Sequence, residues 1–173
     1  MGRVNTNIKI RKMVFQGLLF AMALVLSLLE SMLPVLPMLP PGIKLGLSNI
    51  VTMYALFTLG PGSGFTIAIL KSYFVFLMRG GVAGALSLAG GCTAVLLMLV
   101  IATLPGLRKN YLLLSIFGAV GHNAGQLVLA RFILGTQQIF FLLPLLLLAG
   151  VGMGVVTGLV LKAVMPYINR LNK

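Results

Sequence analysis

"PVLPMLPPGIKLGLSNIVTMY", residues 34–54, lies between two stretches of nearly pure hydrocarbon. Its four prolines within eight residues (34–41) exclude a continuous helix, because each lacks a backbone donor and clashes with the preceding turn. Directly after them come Lys44, Ser48, Asn49 and Thr52, at the start of a segment otherwise fit to enter a membrane. Lys44, Ser48 and Thr52 recur every fourth residue and so share one helix face, with Asn49 at its edge. A helix beginning near Ile43 presents free N–H groups and positive potential, and Lys44 adds a full charge there. The stretch reads as an anion-receptive entrance, with residues 34–42 as a stiff rim or lid.

Composition explains the hydrocarbon. The chain has 173 residues, 60% of them hydrophobic and only 8% charged, with a mean hydropathy of +1.13. These values indicate an integral membrane protein, and the length suits one domain over 1–173. A helix crossing the hydrocarbon needs about 20 residues. On that measure spans are expected near 13–34, 44–60, 63–79, 84–104, 111–134 and 139–163, which makes an all-α bundle of six transmembrane helices. "GPGSG" (60–64) reads as a hairpin-like break between the second and third spans, and the glycine-dense "RGGVAGALSLAGG" (79–91) as partly irregular. The first apolar run is too long for a signal peptide and is taken as a retained span.

Thirteen Lys and Arg stand against one acidic residue, Glu30. They cluster at span ends, which points to topology and away from nucleic acid. With the N-terminus inside, nine of them (Arg3, Lys9, Arg11, Lys12, Arg108, Lys109, Lys162, Arg170, Lys173) lie on the inner side and three (Lys44, Arg79, Arg131) on the outer. That bias predicts a multi-pass protein of the cell membrane with both termini in the cytoplasm. Lys71 is left over, in the middle of the third span.

The polar residues that topology does not explain gather in the outer half from several spans: Glu30, Lys44, Ser48, Asn49, Thr52, Lys71, Arg79, Asn123, Gln126 and Arg131. Ionisable groups at membrane depth face the bundle interior or a watery cavity, so these are the candidate solute-binding residues. The competing reading is that Lys44, Arg79 and Arg131 snorkel to headgroups, that Glu30 is a structural counter-ion, and that His122 and Asn123 bond neighbouring helices. Small residues mark where helices approach: Gly17 and Ala21, Ala23 and Ser27, Gly121 and Gly125, and Gly150, Gly154 and Gly158. They pack the bundle internally or dock a separate membrane subunit.

The sequence holds no phosphate-binding G-x-x-x-x-G-K-[ST] loop and no cluster of metal ligands, and its single cysteine, Cys92, excludes an intrachain disulfide. Neither a catalytic residue nor a cofactor or metal is expected, and the chain is expected to bind or transport rather than to act as an enzyme.

"PPGIKLGLSNIVTMYAL" (40–56), the break "LGPGSG" (59–64), "LSLAGG" (86–91) and "GAVGHNAGQL" (118–127) carry a resemblance. Together they resemble the Gx transporter family, also labelled heptaprenyl diphosphate synthase component I, over about residues 13–162. That family is similar to the substrate-capture S components of energy-coupling factor (ECF) transporters. The resemblance implies a six-helix protein with an outward-facing site for a small, vitamin-like or isoprenoid- or quinone-related solute. It implies partners in trans, a transmembrane coupling subunit and two ATPases. It also implies a docking role for an A-x-x-x-A-like face on the first helix, matched here by Gly17 and Ala21 with Gly in place of the first Ala. The synthase label implies the alternative, a non-catalytic membrane subunit of a soluble heptaprenyl diphosphate synthase. Prenyl synthases resemble one another in aspartate-rich motifs, and this chain contains no aspartate.

Overall fold

The computed structural model describes residues 2–32, 48–108 and 110–171, with the side chains of 2–9, 31 and 167–171 left aside. Six α-helices follow one another: α1 (Gly2–Met32), α2 (Asn49–Leu59), α3 (Pro61–Arg79), α4 (Gly81–Ala102), α5 (Tyr111–Leu134) and α6 (Leu143–Leu171). A short 3₁₀ segment, Gln137–Leu142, leads into α6. All but α2 are long and apolar enough to cross a membrane, so the chain is a multi-pass membrane protein. The described part of α2 spans only about 16 Å at 1.5 Å per residue. The proline-rich rim (34–42), the helix start near Ile43 and Lys44 lie outside the described residues.

The turns are tighter than the sequence suggests. The break between α2 and α3 is Gly60 alone, whose φ of 103° is open to glycine and strained for other residues. Pro61 already occupies the first turn of α3, where its missing N–H has no intrahelical partner to lose. The glycine-dense 79–91 stretch is not irregular: α4 is helical from Gly81, immediately after Gly80 (φ 87°). Gly135 closes α5 in the left-handed conformation, donating its N–H to Arg131 O at 3.1 Å. Asn110 opens α5, its side chain accepting from Leu113 N at 3.2 Å. α1 starts well before residue 13 and α6 runs past 163.

Single-glycine turns impose a mirror register on the helices they join. Residues equidistant from Gly60 meet: Leu56 lies against Gly64, and Asn49 bonds Lys71. About Gly80, Phe76 lies against Gly84 and Ala68 against Gly91, while Ser72 Oγ donates to Ser87 Oγ at 3.3 Å. Across the longer connection of Gly135, Thr136 and the 3₁₀ segment, the small positions of α6 also meet α5: Gly150 lies against Ala119, Gly154 against Ile116 and Gly158 against Leu112.

The small-residue pairs therefore divide. Gly150, Gly154 and Gly158 pack inside the bundle, as do Gly121 against Leu97 and Gly125 against Thr93. On α1, Leu19, Ala23, Ser27 and Glu30 form the buried stripe. Gly17 and Ala21 lie on the exposed side, and a Cβ added at Gly17 would meet nothing within 4 Å.

α2 is the central helix. It touches α1, α3, α4, α5 and α6, and Asn49 and Val51 through Leu56 are buried. Phe15 of α1 meets Tyr54 edge-on, with ring centroids 6.1 Å apart. At the Gly60 end, Lys12 and Gln16 border an open recess of about 330 Å³ beside Ser63 and Thr66. α1 therefore runs parallel to α3, and Glu30 points toward the Gly80 end.

Candidate functional site

Depth along the helices shows how the site is assembled. Lys71 stands eight residues before Arg79, Gly90 nine after Gly81, and Gln126 eight before Leu134. At 1.5 Å per residue all three lie about 12–14 Å below the same end of the bundle. The mirror about Gly60 raises the first turn of α2 to that level.

Lys71 is the centre of this layer. It is only 2% exposed, and its Nζ donates to Ser48 Oγ at 3.1 Å and to Asn49 Oδ1 at 3.0 Å. Ser72, the next residue, bonds Ala68 O at 2.7 Å and Ser87, which ties α3 to α4. On α5, Gln126 Nε2 lies 2.9 Å from His122 Nε2, and both residues are buried. Gly90 of α4 gives them room: a Cβ there would meet Gln126 Cγ at 2.8 Å and His122 Cε1 at 2.9 Å. Asn123 Nδ2 donates to Leu146 O of α6 at 2.7 Å. Four helices, α2 to α5, thus bring polar side chains into the bundle interior, where Ser27 and Glu30 of α1 are also buried.

Three buried polar atoms find no partner among the described residues: Asn49 Nδ2, Thr52 Oγ1 and Asn123 Oδ1. Leaving such a group unsatisfied costs about 1–3 kcal/mol, and buried groups of this kind are ordinarily bonded, by protein or by ordered water.

Among the expected site residues, the structure brings Glu30, Ser48, Asn49, Thr52, Lys71, Asn123 and Gln126 into the bundle interior. Arg79 is exposed in the last turn of α3, and Arg131 is half-exposed in the last turn of α5. Neither joins the buried layer, and Lys44 lies outside the described residues. The sequence reading does not assign Ser72, Ser87 or Gly90 to the site, and it takes Ser27 only as a small packing residue and His122 only as a helix–helix contact. A signal was available for Ser72 and Ser87, which lie eight residues before and seven after Gly80.

With the fold and this layer in place, comparison with known proteins is informative. The model of the heptaprenyl diphosphate synthase component I family matches residues 19–164. The chain belongs to that family. The matched residues take in α2 to α5, most of α6 and the second half of α1, with every buried polar residue named above. A solved structure described as the S component of a bacterial ECF transporter shares this component I fold, with a TM-score of 0.62 at 20% identity. The match covers 94% of this chain and 95% of that one. No curated protein matches the chain.

Proposed function

We propose that this component I protein is the solute-binding membrane subunit of an ECF-type importer and performs no covalent chemistry. The observation that carries the reading is Lys71, buried at mid-bundle and held by Ser48 and Asn49 of the central helix, on an S-component-like fold. A cation at that depth is costly unless it pairs or lines a pathway. Facing the outside, it would receive a small, vitamin-like or isoprenoid- or quinone-related solute through an anionic or acceptor-rich group. Charge-assisted hydrogen bonds in such dry surroundings are about twice as strong as neutral ones.

The nine-to-three charge bias supports an orientation with both termini in the cytoplasm, which makes the Gly80 end the outer one. The open Gly17/Ala21 face of α1 supports docking to a coupling subunit, which brings two ATPases in trans.

The test is mass spectrometry of small molecules retained by the protein purified in mild detergent. Lys71→Met should lose the retained solute, since removing a buried charge partner costs on the order of 2–5 kcal/mol. Co-purification of a coupling subunit and ATPases supports the importer. Co-purification of a soluble prenyl synthase, with equal solute retention by Lys71→Met, overturns it in favour of the scaffold that the family's name suggests.

A further inference from the structure

At the Gly60 end, the recess between α1 and α3 holds a charge that no acidic side chain of this protein can balance. Lys12 and Gln16 stand four residues apart on one face of α1, and both border the recess. The chain's one acidic residue, Glu30, lies eighteen residues further along α1, ~27 Å away at 1.5 Å per residue. A counter-ion for Lys12 must therefore come from outside the chain's own acidic side chains.

The opposite wall is the first turn of α3, where backbone donors and the helix dipole favour an anion. Pro61 has no N–H, and the N–H groups of Ser63 and Gly64 turn back to Gly60 O at 3.0 and 3.3 Å. Gly62 N–H is left without a partner among the described residues, and Gly62 borders the recess. Ser63 supplies a second, independent donor. It borders the recess while only 4% exposed, and its hydroxyl has no partner among the described residues. Thr66, by contrast, gives its hydroxyl proton to Gly62 O at 2.8 Å.

Ammonium, side-chain amide, backbone N–H and hydroxyl can all donate to one anion. At about 330 Å³ the recess has roughly ten times the ~30 Å³ share of one water, room for a hydrated phosphate group. It lies where the apolar spans Ile10–Glu30 and Pro61–Arg79 begin, at the level of the lipid head groups. Further along, both helices expose apolar side chains, Val14 and Leu18 on α1 and Ile69 and Leu70 on α3. We infer that this recess is a phosphate site for the head group of an anionic phospholipid, whose acyl chains lie along those apolar faces. Basic recesses between helices at a membrane surface suit such head groups. Free phosphate offers the same oxygens but nothing to cover the apolar side chains. With both termini in the cytoplasm the lipid belongs to the inner leaflet, but the inference needs neither that orientation nor the solute-binding reading.

The experiment uses the full chain, purified in mild detergent and stripped of lipid, at fixed ionic strength. It is titrated with dioctanoyl phosphatidylglycerol, dioctanoyl phosphatidylcholine or inorganic phosphate while the unfolding temperature is followed, since a ligand of the native state raises it. Phosphatidylglycerol should stabilise saturably, with an affinity about tenfold above that of free phosphate or of phosphatidylcholine, whose choline cation would meet Lys12. Lys12→Gln should weaken phosphatidylglycerol about tenfold and Ser63→Ala about threefold. Lys162→Gln, which removes an exposed cation of α6 outside the recess, should leave it unchanged. If Ser63→Ala fails to fold, Lys12→Gln, at an exposed position, decides alone. Equal weakening by Lys12→Gln and Lys162→Gln would mean general attraction to a basic protein and overturns the inference. Equal stabilisation by the two lipids, stabilisation by neither, or stabilisation by inorganic phosphate alone overturns it as well. If Lys12→Gln responds to lipid normally but no longer co-purifies a membrane partner, the recess holds an acidic protein side chain instead, and the inference fails.

Discussion

Two helices of this protein carry the same small-residue spacing and put it to opposite uses. On α6, Gly150, Gly154 and Gly158 lie along a face pressed onto α5, and a Cβ added at Gly154 would sit 2.5 Å from Ile116 Cα. Beside them, Ser115 Oγ donates to Gly154 O. On α1, Gly17 and Ala21 keep the same four-residue interval but face outward, with open space at Gly17. The α6 face is spent on holding the bundle together, whereas the α1 face is left open by the bundle. In lipid, apolar side chains gain little from meeting one another, so close backbone approach is the main driving force for contact.

The comparison predicts a graded series. Gly154→Leu should have the largest effect, because a branched side chain has no volume to enter against the backbone of Ile116. Overpacking of this severity costs about 3 kcal/mol or more, read as a sharp fall in unfolding temperature and yield. Gly158→Ala should be intermediate. Its added methyl meets Leu112 Cα at 2.8 Å and Ser115 Oγ at 2.6 Å, for a net loss of about 1–2 kcal/mol in thermal unfolding despite alanine's better helix propensity.

The double variant Gly17→Leu with Ala21→Leu should be the mildest for the isolated protein, within about 0.5 kcal/mol, as for exposed substitutions generally. Its effect should appear elsewhere: solute uptake by cells falls while solute retention by the purified protein persists. Loss of folding in that variant would break the comparison and assign the α1 face to internal packing.

Much of the fold was legible because the membrane leaves few options. Five of the six expected spans coincide with long helices, since backbone groups in hydrocarbon must be satisfied within a helix. Lys71 stood out as a candidate because a cation in mid-span cannot easily reach the headgroups. Its partners Ser48 and Asn49 were named beside it, though not joined to it. The missing link was the turn. Reading residues 60–64 as a loop leaves the register of α2 on α3 undefined, whereas a turn at Gly60 alone places Asn49 and Lys71 at equal distances from it and so at one level. Pro61 and the glycines after it look like loop residues, yet proline is favoured in a first helical turn. Arg79 and Arg131 appeared at the right depth but stand toward the membrane surface. Gly90, a glycine among many in the sequence, has its role only because Gln126 and His122 arrive opposite it.

The sequence by itself determined that the chain crosses a membrane, where its helices run, and which few polar groups require an explanation. Each of these follows from hydrocarbon thickness and the cost of burying charge, which act on local composition. Only the tertiary structure decided which of two small-residue stripes of the same spacing faces inward, which cations leave the interior, and how polar groups of several helices come together inside the bundle. In water a helix shows its buried side by the alternation of polar and apolar residues. In lipid both sides are apolar, and that signal is lost until the helices pack.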